Sequence, residues 1–452
     1  MKRRALALGT VFAGALVLTL AATAPVAAAS YVLDASHWGA KQTAAVEAAG
    51  GSVVWSHGAT GLGVATSDNP SFLDQVQASH DFTSAAADVS VQWVPDNGVQ
   101  EQAITPGDET FFPLQWNMQS IDAPAAWDAG CTGAGARVAI IDGGIYNQHA
   151  DLSPNLDTAC SVSFVPGKAY NEDVGTFWHA THVAGIVAAA DNGTGVIGVA
   201  PEATLMGVKV LDNGTGSFGQ VIGGILYASD PAAFGLSGCQ RADIINMSLG
   251  ALFPKSATGG GQLVGAMAKA VNYAASKGVL VVSAAANNGV DLGHAYNYTV
   301  VPCESGSGQC VSATGPVGFA LGATNFDHPA SYSNYGEGTV DVAAPGGDFI
   351  LPGSDLCAVG GVVNYCWVFD LVISDCRGTS TPPVYSYCFA AGTSMAAPAA
   401  SGVAALIVGS HPGISLGALK AKLRQTATDS GPIGHDAFYG HGYVNAYNAC
   451  TN

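Results

Sequence analysis

The sequence predicts an α/β fold, a parallel β-sheet flanked by helices on both faces, preceded by a smaller α+β unit. Three observations predict it. From Arg137 onward, short apolar runs alternate with longer helix-like stretches. Several of those runs are apolar at successive positions, as strands buried on both faces must be. Residues 30–107 carry strand-like and helical runs of their own, set off by a polar stretch at 96–109.

Taken in order, Lys2-Arg3-Arg4 precede an uncharged apolar stretch from Ala5 that ends near Ala27-Ala28-Ala29. A basic start, an apolar middle and small residues at the end read as a secretory signal over 1–29, and so as a secreted, extracellular chain. An uncleaved anchor is the alternative, since the stretch is long enough to reach across a bilayer. Residues 30–107 follow, with alternating Val53-Val54-Trp55, a helical run at 41–49 and a strand-like run at 89–95. The main body is 108–452. Its strand candidates are 138–142, 204–211, 243–248, 279–285 and 339–344, with helices at 220–229 and 262–277 between them. Ser415 caps a further helix that presents Leu416, Leu419 and Leu423 on one face.

Composition narrows the class. The 452 residues allow one large domain and a small one, and 48% hydrophobic content supplies a core. Only 11% of residues are charged and the net charge is −18, which excludes electrostatic binding of nucleic acid or stable association with an anionic membrane. All ten cysteines lie beyond the signal, which suits disulfides in an oxidising compartment. Cys303 and Cys310 are close enough to close a small loop. Cys357, Cys366, Cys376 and Cys388 share one insertion and are candidates to pair among themselves. No C-x-x-C pair occurs, which disfavours a zinc ribbon or a thioredoxin-like motif.

The chemistry concentrates in four segments. In Gly392-Thr393-Ser394-Met395-Ala396-Ala397-Pro398 a serine among small residues precedes an apolar helical run. A helix N-terminus there aims free N–H groups and a positive dipole end at charge developing near the hydroxyl. That suits a nucleophile whose reaction passes through an oxyanion. Alone, the segment reads equally as an N-capped core helix. Asp142 ends the run Val138-Ala139-Ile140-Ile141, at the strand edge where open α/β sheets place their chemistry. His179 opens the small-residue helix Ala180-Thr181-His182-Val183-Ala184-Gly185. Together these are the parts of an acyl-transfer triad: His179 takes the serine proton, and Asp142 fixes its tautomer and stabilises the imidazolium. Asn287, after Ala284-Ala285-Ala286, is placed to donate to the oxyanion, although by itself it is an ordinary turn residue.

These words, with Ile245-Asn246-Met247-Ser248-Leu249-Gly250, occur in the order Asp, His, Asn, Ser, and the chain resembles the subtilisin-like serine peptidases from about Trp116 to its end. The resemblance implies a secreted endopeptidase made as a pre-pro-enzyme, with 30–107 as a propeptide that assists folding and then inhibits intramolecularly by occupying the cleft. A domain that is never removed is the alternative. It implies a monomer that acts on protein or peptide substrates and needs no cofactor for its chemistry. Substrate backbone would pair with Gly214 and Gly216 on one side and with Ser248, Leu249 and Gly250 on the other. The first specificity pocket, walled by the latter segment and by Ala285 and Ala286, carries no charge and predicts a broad apolar or aromatic preference. Asp151 and Asn192 match side-chain ligands of the family's tight calcium site, whose oxygens suit a hard cation.

The chain departs from the family at Gly143 after the acid, where Thr or Ser is usual, and at Trp178 and Ala180 around the histidine and Ala286 before the asparagine, where glycine is usual. These put rate and substrate fit in question, not the reaction class. Two rivals remain: a peptide ligase or cyclase on the same fold, since an amine can capture an acyl-enzyme, and a peptide-binding pseudoenzyme, whose sign would be a missing catalytic residue. His182 stands three residues from His179 but lacks the glutamate of H-E-x-x-H, and reads as structural.

Overall fold

The computed structural model of the chain describes residues 28–94, 111–172, 178–254, 256–294, 297–378 and 384–452. Nearly all of the signal at 1–29 and all of the polar stretch at 96–109 lie outside the described residues.

At the centre is a parallel sheet. Its strands run in space Val162–Ser163, Thr204–Lys209, Arg137–Asp142, Ile244–Met247, Leu280–Ala284 and Gln309–Gly315, with Val342–Pro345 parallel beside the last and His328–Pro329 antiparallel to it. Alternation within a strand sends side chains to opposite faces, and both faces are buried here. Val138 and Ile140 pack into one apolar cluster with the helices His179–Ala188 and Thr393–Ser410. Ala139 and Ile141 pack into another with the helices Phe218–Ser229 and Gly260–Ser276. The sheet with helices on both faces is the architecture that the alternating apolar runs predict.

Thr393–Ser410 is long and apolar enough to cross a membrane, but it is the central helix of the body, with nearly every side chain buried. A helix walled by protein on all sides must be apolar all round. Ser415 caps Leu416–Gln425 by accepting the Ala418 N–H, and Leu419 and Leu423 are buried beneath it.

The N-terminal unit is α+β. Four antiparallel strands, ordered Gly51–His57, Leu62–Ser67, Ala29–Asp34 and Ser84–Ala87, carry the helices Ala40–Ala48 and Phe72–Ala78 and their own apolar cluster around Leu33, Val46 and Phe72. The strand-like run at 89–95 does not join this sheet. Ser90–Gln92 pairs instead with Thr215–Ser217 of the main body. Just before it, Asp88 accepts the Gly219 N–H at the start of Phe218–Ser229 (3.0 Å), where a carboxylate complements the helix dipole. Lys269, on Gly260–Ser276, pairs with Asp34.

All ten cysteines are paired: Cys131 with Cys450, Cys160 with Cys239, Cys303 with Cys310, Cys357 with Cys366 and Cys376 with Cys388. The four cysteines of the insertion do pair among themselves. Cys376–Cys388 links the antiparallel strands Val372–Arg377 and Tyr385–Ala390, which pack against the helix that begins at His179.

Candidate active site

Asp142 is the last residue of its strand and is fully buried. Its Oδ2 meets His179 Nδ1 at 2.8 Å, and its Oδ1 accepts the Gly143 N–H at 2.6 Å. The backbone therefore supplies a donor next to a residue that has no hydroxyl to offer. Lys209, buried one strand away, bonds through Nζ to the carbonyls of Gly143 and Leu211 and so ties down the turn that follows Asp142. His179 opens its helix, with Trp178 and Ala180 both buried beside it.

Ser394 is in the first turn of its helix, behind Gly392 at the N-cap. Its hydroxyl donates to the Ser248 carbonyl (3.0 Å), while the Ser248 hydroxyl donates to the Ser394 carbonyl (2.7 Å). To hand its proton to His179 the Ser394 O–H must swing away from Ser248. Asn287 follows the strand Leu280–Ala284, and its Oδ1 accepts both the N–H (2.9 Å) and the hydroxyl (2.7 Å) of Thr393. With the oxygen held by two donors, the amide nitrogen must face the other way, and it approaches Gly392 beside Ser394.

Ser394, Thr393, Asn287 and Asn288 line one cavity of about 420 Å³ together with Gly250, Ala284, Ala286, Leu252 and Phe253. None of the side chains lining it is charged. Ala286 has φ +69°, a left-handed conformation that an L-residue adopts at a cost. A Cβ on Gly250 would stand 3.2 Å from the Ala286 methyl, so the cleft is narrow at that point. The remaining residues of the expected walls contribute differently. Ser248, Leu249 and Ala285 are buried as whole residues and are not among those that line this cavity.

Gly214 and Gly216 form the expected edge, and it is already paired. Val91 is in register with Gly216, Gly214 O accepts the Trp93 N–H (2.9 Å), and Gly250 N–H donates to Trp93 O (3.2 Å). The indole of Trp93 is buried against Phe218 (5.1 Å between ring centroids, edge on) and donates to Gly216 O (2.9 Å). Residues 91–93 therefore border the same cavity as Ser394. No sequence signal marked them, since Val-Gln-Trp reads as any short strand.

Asp151 and Asn192 come together as well. Asn192 Nδ2 donates to Asp151 Oδ1 (3.0 Å), and Asp151 Oδ2 accepts the Val196 N–H (3.2 Å) and the Tyr387 hydroxyl (2.9 Å). Asn192 Oδ1 is turned to Thr194. His182 is structural: its Nε2 faces the carbonyls of Val372 (3.2 Å) and Cys388 (3.1 Å), and burial lowers its pKa to about 3.

A model of the Subtilase family matches residues 133–442. Thermitase of Thermoactinomyces vulgaris is 34% identical over 347 residues, which cover 76% of this chain and 99% of thermitase. Subtilisin Savinase of Lederbergia lenta is 34% identical over 334 residues, 74% of this chain and 97% of that protein. Among solved structures, a protease of Pseudoalteromonas arctica matches with a TM-score of 0.59 at 32% identity, covering 77% of this chain and 99% of its own. The epidermin leader peptide processing serine protease of Staphylococcus aureus matches with a TM-score of 0.69 over 94% of this chain and 100% of its own; at 21% identity this likeness is one of fold.

Proposed function

The chain belongs to the subtilase family and is a subtilisin-like serine endopeptidase, and from that premise we propose that Asp142, His179, Asn287 and Ser394 carry its reaction. The observation that carries this is the buried 2.8 Å contact between Asp142 and His179, in a body whose cleft is lined by both Ser394 and Asn287. In this reading the Ser394 proton passes to His179 Nε2 as Oγ bonds to the peptide carbonyl carbon. Asn287 Nδ2 and the Ser394 N–H hold the oxyanion. Asp142 stabilises the imidazolium, which then gives its proton to the departing amine as the C–N bond breaks. Water resolves the acyl-enzyme by the same steps in reverse roles. No cofactor is needed for this chemistry.

Residues 1–29 are read as a signal and 30–107 as a propeptide, so that the enzyme is secreted as a monomer and acts outside the cell. The seating of residues 90–93 on the Gly214–Gly216 edge supports a role for this region as its own intramolecular inhibitor. The uncharged cleft supports a broad preference for apolar or aromatic residues before the cut, because a Lys or Arg would enter without a partner. Structural calcium would be held by Asp151 and Asn192. It requires the Asn192 amide to turn its oxygen from Thr194 towards the ion, an exchange of the two ends of one planar group.

Ser394→Ala tests the reading. Cleavage of casein and labelling by a fluorophosphonate should both vanish while the melting curve stays native. If maturation is autocatalytic, a longer form that retains residues near Tyr31 should accumulate. Turnover near the wild-type level in that variant overturns the mechanism.

A further inference from the structure

The oxyanion donor proposed above sits on a loop that needs outside support. Ala286, immediately before Asn287, is held at φ +69°, which costs an L-residue on the order of 1–2 kcal/mol relative to the right-handed region. The loop of residues 285–291 takes its hydrogen bonds from outside itself, so a neighbour must secure that conformation. Asn334, fully buried, is that neighbour. Its Nδ2 donates to Ala285 O (2.8 Å), and its Oδ1 accepts the N–H groups of Asn288 (3.0 Å) and Val290 (3.0 Å). Its own N–H donates to Ala286 O (3.0 Å). These bonds bracket Asn287 in sequence on both sides. The Asn287 side chain is fixed separately, through Thr393.

We propose that Asn334 is a positioning residue for the oxyanion donor, acting through the backbone on either side of Asn287; this rests on the reading of Asn287 given above. Few other side chains could do it. One oxygen must accept two N–H groups while a nitrogen on the same planar group donates to a carbonyl, a combination that the carboxamides offer and that Asp, Ser or Thr do not. The same segment reaches the nucleophile. The Tyr332 hydroxyl donates to Gly347 O (2.6 Å) and Gly346 O (3.1 Å), and Gly346 O accepts the Gly392 N–H (3.0 Å) two residues before Ser394. Residues 332–334 thus hold both the loop of the donor and the loop of the nucleophile. Misplacing a reacting group by about 1 Å is enough to lose roughly a hundredfold in rate.

A double-mutant cycle on the enzyme, normalised to fluorophosphonate-reactive sites, tests this. Asn334→Ala should lower kcat roughly ten- to a hundredfold and change KM by less than about threefold. In an Asn287→Leu background the same change should lower kcat by less than about threefold, because the group it positions is gone. An equal loss in both backgrounds, or kcat within about twofold of wild type in a variant with a native melting curve, overturns the proposal. If the alanine variant does not fold, Asn334→Asp decides it by the same cycle, since it is isosteric and keeps both accepted bonds while losing the donor to Ala285 O. If Asn287→Leu alone leaves kcat unchanged while Ser394→Ala abolishes it, the assignment of the oxyanion donor fails, and not the support for it.

Discussion

Two aspartate–histidine pairs are buried among the described residues, and they differ in everything but residue type. Asp142 meets His179 at 2.8 Å, and its second oxygen is served by the Gly143 N–H. Asp375 stands 3.6 Å from His149, both are fully buried, and the Asp375 carboxyl lies against that of Asp151 with no backbone donor to serve it among the described residues. His149 is turned to other groups: its Nδ1 accepts the Asp151 N–H (3.2 Å) and its Nε2 faces Ser386 O (3.0 Å). Burial, with the Asp151 carboxylate alongside, pushes Asp375 well above the usual carboxylate range, and burial lowers His149. Both shifts favour the neutral forms. An aspartate can orient and stabilise an imidazolium only when donors satisfy it and the histidine edge reaches a substrate. What separates the two pairs is the backbone N–H that serves Asp142 and the partial exposure of His179, against an aspartate and a histidine that are both sealed.

Breaking each pair by the same substitution should expose the difference. Asp142→Asn is expected to lower kcat by about 10⁴, because the amide imposes the wrong tautomer on the histidine, with KM little changed. Asp375→Asn should leave kcat within about twofold, since it touches no group in the cleft and rates respond only to interactions made in the transition state. Steady-state kinetics on a chromogenic peptide read both. A large loss from Asp375→Asn would mean that the sealed pair is coupled to the reaction and that the contrast is false.

The second expected effect concerns Asp151, which packs against the sealed pair and carries the calcium proposal. An ion that binds only the folded state adds RT ln(1 + [L]/Kd), about 2.7 kcal/mol at a hundredfold excess over Kd. EDTA should lower the melting temperature, and Asp151→Ala should remove most of that sensitivity. If melting is the same in EDTA and in millimolar calcium, the three hydrogen bonds to Asp151 suffice and the ion is not part of this structure.

The contact between Asp142 and His179 was expected from the sequence and the sealed pair was not, for a physical reason. Asp142 and His179 each end or begin a regular element with a strong local signature, an apolar strand and a small-residue helix. Asp375 lies in a cysteine-bearing hairpin whose strands, Val372–Arg377 and Tyr385–Ala390, mix polar and aromatic residues with no clean period. The strand Gln309–Gly315 was missed likewise: its Gln, Cys, Ser and Thr side chains are all buried, so polarity misreports its place in the sheet. The strand predicted at 339–344 forms, but later, at Val342–Pro345. Nothing in the sequence marks Asn334, because its partners are 44–49 residues away in the chain. Trp93 read as part of the small N-terminal unit, because its partners are far along the chain, Gly216 being 123 residues away.

The smallest effect is the sharpest test of the neutral pair. The folded-state pKa of Asp375 is raised, while an unfolded aspartate titrates near 3.9. A group with a raised folded pKa contributes stability in full below its unfolded value and loses it as pH climbs through the folded value, because the unfolded chain then releases a proton that the folded chain must keep. Asn cannot titrate and carries no such loss. Asp375→Asn and wild type should therefore melt closest together near about pH 4, and the variant should gain on wild type as pH rises from there towards the raised folded pKa of Asp375. The gain should be a few degrees per pH unit, since a unit is worth about 1.4 kcal/mol and each kcal/mol moves the midpoint of a domain of this kind by about 2–4 °C. The lowered pKa of His149 acts in the opposite window, taking stability away as pH falls below its ordinary value near 6.5, so the part of the comparison above that pH reads Asp375 most directly. A gap between the two melting curves that is flat across this range would show that Asp375 is ionised in the folded protein, and the two pairs would then differ in access alone.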